Sequence, residues 1–166
     1  MTTRRMLLAG VGGLAAAGFS GLRYAGAVSP AVTSAMTSPG GTVDWSTRLT
    51  PTQFNVLRKA GTEMPFSSPL DLNFAAGRYD CAGCGQKLFS SRTKFDSGTG
   101  WPSFYEPLKG AVVQSNDSTF GMQRTEVHCV QCQGHLGHLF NDGPRPTGLR
   151  YCMNGVAMNF VAGQAA

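Results

Sequence analysis

The pattern of apolar and polar positions changes twice along this chain of 166 residues. Beyond Pro69, short apolar runs alternate with polar positions and are separated by glycines, which is typical of half-buried β-strands. The pattern predicts one mainly β, chiefly antiparallel domain. The expected strands are Arg78–Cys81, Lys87–Phe89, Ala111–Gln114, Thr125–Cys129, Leu136–Phe140, Leu149–Asn154 and Val156–Phe160.

A short helix is expected before the strands. Thr50 is the expected N-cap, Pro51 takes the first helical position, and Gln53 completes a capping box. Gly61 is expected to end the helix as the C′ residue. The apolar positions of this helix are Phe54, Val56, Leu57 and Ala60.

The first apolar run has the features of a targeting segment. It extends over residues 6–19, follows the adjacent Arg4 and Arg5, and is too short to span a bilayer comfortably. Small residues at 25–27 offer a cleavage site. Residues 1–27 are therefore predicted to be a twin-arginine signal peptide that directs export to the periplasm, with no stable membrane insertion after cleavage. An uncleaved anchor or a disordered cytosolic tail is the alternative.

A linker and a single domain are expected to follow. Residues 28–43 are rich in Ser, Thr, Pro, Gly and Ala without periodicity, which predicts a flexible linker. The remaining residues 44–162 are expected to form the domain. With 42% hydrophobic residues, 14% charged residues and 22 glycines, the composition favours a turn-rich β domain over a helical bundle or a disordered chain.

The net charge of +5 does not indicate a nucleic-acid partner. Without Arg4, Arg5 and Arg23 the chain keeps 11 Lys and Arg against 9 Asp and Glu, a balance of +2. The positive excess therefore belongs in part to the targeting segment.

The five cysteines divide into two pairs and one single residue. Cys81-x-x-Cys84 and Cys129-x-x-Cys132 are typical of a four-thiolate zinc site, which is structural because no coordination position stays open for substrate. The pairs lie far apart along the chain, so a bound Zn²⁺ closes a long loop and contributes to folding. The alternatives are a disulfide within each pair, or a thioredoxin-like redox couple, which needs a βαβ context.

Cys152 is left as a free thiol. If 149–154 is a strand, Arg150, Cys152 and Asn154 lie on one face, and the guanidinium favours the thiolate. Asn154 can donate a hydrogen bond to the sulfur or to a substrate. Cys152 is thus a candidate nucleophile, and the alternative is an inert buried cysteine.

Acid–base groups follow the second cysteine pair. His138, Phe140 and Asp142 alternate onto one face, and His135 joins them if the strand is kinked at Gly137. Two imidazoles and a carboxylate near a thiol provide general acid–base capacity. The alternative, a zinc site made by both histidines with the preceding cysteines, requires ligands spaced more widely than these.

Trp101 is the third candidate element. It lies among small residues in an expected loop, where its indole can form one wall of a pocket. The alternative is a tryptophan of the core.

These segments together resemble the B-type methionine sulfoxide reductases, which reduce the R epimer of methionine sulfoxide. The likeness extends over residues 44–160 and implies two antiparallel β-sheets with a short N-terminal helix and a structural zinc site away from the catalytic pocket. The matching segments besides the two cysteine pairs are Val56-Leu57-Arg58, Gly61-Thr62-Glu63, residues 94–104, residues 121–127, His135-Leu136-Gly137-His138 and residues 150–154.

The resemblance implies roles for the candidate residues. Cys152 attacks the sulfoxide sulfur, methionine leaves, and a sulfenic acid remains on the cysteine. His135 and His138, supported by Asp142, act as the acid side. The implied catalytic residues are Cys152, His135, His138, Asp142, Arg150 and Asn154, and the implied substrate contacts are Trp101 and Phe140.

Two positions depart from the family pattern. Many members carry a resolving cysteine where this chain has Thr99, so re-reduction is expected to need an external dithiol of the thioredoxin type or a small thiol. Relatives usually have Ser where this chain has Gly155, a change expected to loosen the pocket. The expected substrates are oxidised proteins or free methionine sulfoxide, and the protein is expected to be a monomer that binds no nucleic acid.

Overall fold

A computed structural model describes residues 43–163. The expected signal peptide and nearly all of the expected linker lie outside these residues. No helix among the described residues is long and apolar enough to cross a membrane.

Within residues 43–163, nine strands form two antiparallel sheets, which confirms the predicted fold class. One sheet has three strands in the order β2-β1-β9, and the other has six in the order β3-β4-β8-β7-β6-β5. The bounds are β1 Gly77–Cys81, β2 Lys87–Ser90, β3 Lys94–Phe95, β4 Ser103–Phe104, β5 Val112–Asp117, β6 Arg124–Cys129, β7 His135–Phe140, β8 Arg150–Met153 and β9 Met158–Ala162.

Two helices precede the sheets: α1, Trp45–Arg48, and α2, Pro51–Lys59. The predicted start of α2 is confirmed, since Thr50 and Gln53 form both hydrogen bonds of the capping box. The predicted end is confirmed, since Ala60 is the C-cap residue and Gly61 follows it at C′. The left-handed conformation, however, falls at Ala60 with φ 52° rather than at the glycine, and Gly61 donates its N–H to the carbonyl oxygen of Asn55 at 3.0 Å.

The sequence pattern missed the two shortest strands, β3 and β4. Each has only two residues and together they flank a glycine-rich segment, so neither shows alternation long enough to detect. The last strand begins at Met158 rather than Val156, because Gly155–Ala157 form a turn of 3₁₀-helix after β8.

The core lies between the two sheets and is closed by α2. Tyr79 of the three-stranded sheet packs edge-on against Phe104 of the six-stranded sheet, with ring centroids 4.9 Å apart. Phe89 stacks on the same Phe104 ring at 4.4 Å. Val56 and Leu57 of α2 are almost fully buried in this cluster. The site described below therefore rests on a rigid, well-packed sheet.

Candidate active site

The two cysteine pairs meet in space. Cys81 ends β1 and Cys84 lies in the turn to β2, while Cys129 ends β6 and Cys132 lies in the turn to β7. Their four sulfurs lie within 4.8 Å of one another. The cluster therefore joins a hairpin of the three-stranded sheet to a hairpin of the six-stranded sheet.

The geometry of the four sulfurs fits a metal ion. The Sγ atoms of Cys81 and Cys132 are 3.7 Å apart, and those of Cys84 and Cys129 are 3.6 Å apart. A tetrahedral zinc site with Zn–S bonds of about 2.3 Å separates its sulfurs by roughly 3.8 Å, whereas a disulfide needs about 2.05 Å. Within residues 43–163, which hold all five cysteines, every cysteine is free.

The cluster also favours loss of protons from two of its thiols. Hydrogen bonding from Cys129 is the main cause that lowers the pKa of Cys84 to about 7. Hydrogen bonding from Cys129 likewise lowers the pKa of Cys132. The same hydrogen bonds among the thiols raise the pKa of Cys81 and of Cys129, so the contacts alone do not favour four thiolates. It is the set of four sulfur donors at these distances that matches a closed four-thiolate site. Neither His135 nor His138 belongs to this group of donors.

Cys152 lies in the middle of the six-stranded sheet. Its register partners are Ser103 on β4 and His138 on β7. The thiol is half-buried and lines a cavity of about 150 Å³ together with Trp101 and Phe140. The other residues that line this cavity are Thr62, Arg124, Gly137, His138 and Asn154. A space of this volume suits one side chain rather than a drug-sized ligand.

Burial is the largest influence on the pKa of the Cys152 thiol and favours its protonated form. Desolvation raises the pKa of Cys152, while Arg150 and then a hydrogen bond from Thr99 act in the opposite direction. The charge of Arg150 favours the thiolate, as expected from the sequence, but it does not outweigh burial in the resting protein. Arg150 is also engaged elsewhere: Nε and Nη2 donate to the Asp142 carboxylate at 2.8 and 2.9 Å, and the guanidinium stacks on Phe140.

This raised pKa makes Cys152 slow to alkylate at neutral pH. We expect its reaction with iodoacetamide to accelerate about tenfold per pH unit and not to level off at or below the ordinary thiol pKa of about 8.5. In Arg150→Met the rise should continue to higher pH, because the opposing positive charge is lost. Mass spectrometry of the Cys152 peptide from metal-loaded protein measures the rate, and a plateau below about pH 8 in the wild type would contradict the assignment.

His138 faces the thiol across the strand pair. Nε2 of His138 lies 2.9 Å from Oδ2 of Asp117, and Nη2 of Arg124 lies 2.7 Å from the same oxygen. Hydrogen bonds from Thr119 are the main cause that lowers the pKa of Asp117, so its carboxylate is an acceptor. Nε2 of His138 therefore donates to Asp117, and this bond fixes the ring where it lines the cavity.

His135 lies behind the cavity rather than in its wall. Nδ1 of His135 bonds to Oε1 of Glu126 at 2.5 Å, and the ring centroid is 5.4 Å from that of His138. Nε2 of His135 is buried and has no hydrogen-bond partner in the described part of the chain. Burial is the main cause that lowers the pKa of His135. The two histidines lie on one face because the β6–β7 register shifts after Val127, which leaves Leu136 as the extra residue of a bulge.

Gly137 allows β8 to approach this bulge. A Cβ on Gly137 would lie 2.9 Å from the Cα of Met153 and would also clash with the carbonyl oxygen of Cys152. The irregularity that was expected at Gly137 lies one residue earlier, at Leu136, and the missing side chain at Gly137 lets the backbone of Cys152 lie close to β7.

The structure separates Asp142 from the histidines. Its side chain is 62% exposed, and its bidentate pair with Arg150 is the main cause that lowers its pKa. The carboxylates that hold His138 and His135 are Asp117 and Glu126, which the sequence analysis missed. Alternation along the expected strand 125–129 could have placed Glu126 on the same face as His128, but Asp117 lies beyond the expected end of its strand.

Asn154 ties the site together instead of donating to the sulfur. Its Nδ2 donates to the carbonyl oxygen of Leu136 at 3.0 Å, and its Oδ1 accepts the N–H of Glu63 at 2.9 Å. The Glu63 carboxylate in turn accepts the backbone N–H groups of Gly155 and Val156. Burial raises the pKa of Glu63 despite these bonds. Asn154 is thus a link between β8 and the loop that carries Glu63.

The same loop positions Trp101. Nε1 of Trp101 donates to the carbonyl oxygen of Glu63 at 3.2 Å, and the N–H of Phe66 donates to that of Gly100 at 2.7 Å. The indole therefore has a fixed orientation, and its ring can form an apolar wall. Glu63 could have been identified from the Gly61-Thr62-Glu63 segment.

The Gly155 position is tightly packed, contrary to expectation. A Cβ there would lie 2.5 Å from Cβ of Ser68 and 3.3 Å from Oε1 of Glu63. Ser68 therefore fills the space that a larger residue at 155 would need. The missing side chain at Gly155 therefore lets the segment with Ser68 pack closely against residue 155 and does not loosen the pocket.

Thr99 occupies the position next to the thiol. Its Oγ1 lies 4.0 Å from Sγ of Cys152 and 2.8 Å from Oγ of Ser97, which bonds in turn to Ser103. Thr99 and Ser103, the two side chains beside the sulfur on this side of the site, both carry hydroxyl groups. No thiol other than Cys152 lines the cavity within the described part of the chain.

A thiol with a carboxylate-held imidazole on the neighbouring strand, in a small cavity, can supply a nucleophile and an acid–base group. Comparison with known proteins identifies the family. The family model described as SelR domain matches residues 49–162, and the chain belongs to this family.

Curated relatives in this family are named peptide methionine sulfoxide reductase MsrB. The relative from Leptospira interrogans is 58% identical over 118 residues, 70% of this chain and 90% of its own. The relative from Agrobacterium fabrum is 57% identical over 118 residues, with coverage of 70% and 87%. The relative from Pseudomonas savastanoi pv. phaseolicola is 53% identical over 122 residues, with coverage of 73% and 93%. The protein is therefore an enzyme of the methionine sulfoxide reductase type.

Proposed function

We propose that this protein reduces the R epimer of methionine sulfoxide, in proteins and in the free amino acid, with Cys152 as nucleophile. The observation that carries the proposal is the cavity in which Cys152, Trp101 and Phe140 meet, with His138 on the neighbouring strand. The sulfoxide methyl group packs against the Trp101 ring, and the sulfur lies within reach of the thiol. The rest of the substrate extends out of the cavity.

The first step moves two oxidation equivalents from the substrate to Cys152. The Cys152 thiolate attacks the sulfoxide sulfur and forms an S–S bond, while the doubly protonated His138 and a second proton from solvent allow the sulfoxide oxygen to leave as water. A water molecule then adds to the Cys152 sulfur and loses a proton to solvent, and the S–S bond breaks to release methionine. The products are methionine and the Cys152 sulfenic acid, so the cysteine is oxidised by two electrons and the sulfoxide is reduced by two. Asp117 keeps the His138 ring oriented through this transfer, and His135 with Glu126 supports it from behind.

Resolved substrate epimers test the proposal. With a dithiol reductant, we expect methionine to form from the R epimer of N-acetyl methionine sulfoxide and not detectably from the S epimer. Chiral chromatography of the products measures both. Equal turnover of the two epimers would show that the cavity does not select configuration and would reject the assignment.

The four-cysteine cluster is proposed to hold a structural Zn²⁺. Its ligands are Cys81, Cys84, Cys129 and Cys132, and a complete thiolate shell leaves no position for a substrate. The ion supplies folding free energy rather than chemistry at the cavity. Metal analysis of purified protein should give about one equivalent of zinc per chain, and less than about half an equivalent would contradict the site.

Re-reduction is proposed to come from an external dithiol of the thioredoxin type or from a small thiol. A first thiol condenses with the Cys152 sulfenic acid and releases water, and a second thiol reduces the mixed disulfide. The support is Thr99, which stands 4.0 Å from Sγ of Cys152 where an internal thiol would have to be.

Thr99→Cys should convert the enzyme to one with an internal resolving thiol. After one turnover without reductant, we expect wild-type protein to retain the sulfenic acid, trapped by dimedone. The variant should instead form a disulfide between the introduced thiol and Cys152 of the same chain. Peptide mass spectrometry distinguishes the two. Thr147→Cys is the control, because Thr147 is exposed on the loop before β8. An intramolecular disulfide on Cys152 in the wild type would overturn the proposal.

Export is proposed on the arginine pair and apolar run of residues 1–27. We expect a mature N-terminus near Val28 and recovery of the protein from the periplasm. N-terminal sequencing and subcellular fractionation measure these directly, and replacing Arg4 and Arg5 by lysines should retain the precursor in the cytoplasm. An intact N-terminus in exported protein would contradict cleavage.

A further inference from the structure

Arg58 of α2 lies between Trp45 and the four-cysteine cluster. Its guanidinium carbon is 3.7 Å from the centroid of the Trp45 ring, which is a close cation–π contact. Its Nη1 donates to the carbonyl oxygen of Cys132 at 2.8 Å. The stacking and this hydrogen bond fix the plane of the guanidinium beside the cluster.

The other two nitrogen donors of the Arg58 guanidinium, Nε and Nη2, are buried and make no hydrogen bond among the described residues. Both Nη2 and Sγ of Cys132 lie within 4 Å of the point that a Cβ on Gly83 would occupy. A buried cationic donor without a partner is costly unless a negative charge lies nearby.

A four-thiolate site provides that negative charge. Four thiolates around a divalent cation carry a net charge of −2, and the cysteines supply it only in the deprotonated, metal-bound form. The guanidinium beside Cys132 therefore faces an anion that is partly buried, where screening by water and salt is weak. Groups in this outer position commonly tune the affinity of a metal site by 10- to 100-fold.

We propose that Arg58 is a positioning residue that stabilises the negatively charged tetrathiolate site and slows release of its metal ion. The inference rests on the zinc site proposed above. Trp45 has a part in it, because its ring covers the guanidinium and keeps water from screening the charge. Arg58 acts through the cysteines and does not reach the cavity of Cys152.

Metal release measures this role without reference to catalysis. With excess chromogenic chelator, we expect Arg58→Met to release zinc roughly tenfold faster than the wild type or more, and Arg58→Lys to stay within about threefold, since it keeps the charge. Arg48→Met is the matched control: Arg48 is exposed, lies 5.5 Å from the same Trp45 ring, and should leave the rate unchanged.

The lysine and methionine variants separate charge from packing. If Arg58→Lys releases zinc as fast as Arg58→Met, the hydrogen bond to Cys132 explains the effect and the charge proposal is overturned. Equal rates in Arg58→Met and wild type overturn it as well. If Arg58→Met does not fold, Arg58→Gln removes the charge but keeps a hydrogen-bond donor, and release at the wild-type rate in that variant overturns it. Wild-type protein that binds no zinc would instead reject the metal site itself.

Discussion

Cys152→Ser is expected to lower kcat/KM for methionine R-sulfoxide by roughly a thousandfold or more. The serine hydroxyl is a far weaker nucleophile than a thiolate, and no second thiol lines the cavity in the described part of the chain. The decisive measurement is a single turnover without reductant. Wild-type protein should release one equivalent of methionine per chain, since each Cys152 is oxidised by two electrons, and the variant should release none.

Folding of the variant provides the control. Serine and cysteine have nearly the same shape, and Cys152 is only half-buried, so the thermal transition and the metal content should match those of the wild type. Loss of activity with an intact fold then belongs to the thiol. If Cys152→Ser keeps a stoichiometric burst, another group is the nucleophile and the proposed site is wrong.

The fold was largely predictable from the sequence because its signals are local. The capping box at Thr50 and the alternation in most strands depend on neighbouring residues. The two-residue strands β3 and β4 form only because they pair with each other and with β8, and no local pattern encodes that pairing. The end of α2 shows the same limit, because the left-handed conformation falls at Ala60 and not at the neighbouring glycine.

The electrostatics of the site were less predictable because they depend on register. Asp142 is near the histidines in sequence, but Arg150 binds it with two hydrogen bonds and holds it at the surface. Asp117 reaches His138 only because β5 and β6 continue their pairing to Arg124. The charge of Arg150 was visible in the sequence, whereas the burial of Cys152 that outweighs it was not.

Removing the metal ion should lower the free energy of unfolding by more than a contact between the two sheets contributes. The cluster is held by turns of two hairpins from different sheets, so its loss separates their ends. An aromatic pair such as Tyr79 with Phe104 contributes about 0.5–1.5 kcal/mol beyond its buried area, whereas structural zinc contributes about 10–16 kcal/mol in small domains. A domain stability of about 5–15 kcal/mol does not survive that loss. Protein treated with chelator should therefore lose its cooperative thermal transition and its near-ultraviolet circular dichroism.

Cys132→Ser and Cys152→Ser form a matched pair for this prediction. Each replaces one half-buried thiol by a hydroxyl, but only Cys132 belongs to the cluster. We expect Cys132→Ser to lose zinc and, like the chelator-treated protein, to lack a cooperative thermal transition. Cys152→Ser should keep both zinc and midpoint. If metal-free wild-type protein melts within about 3 °C of the metal-loaded form, the cluster is not what holds the two hairpins together, and packing of the aromatic core is sufficient.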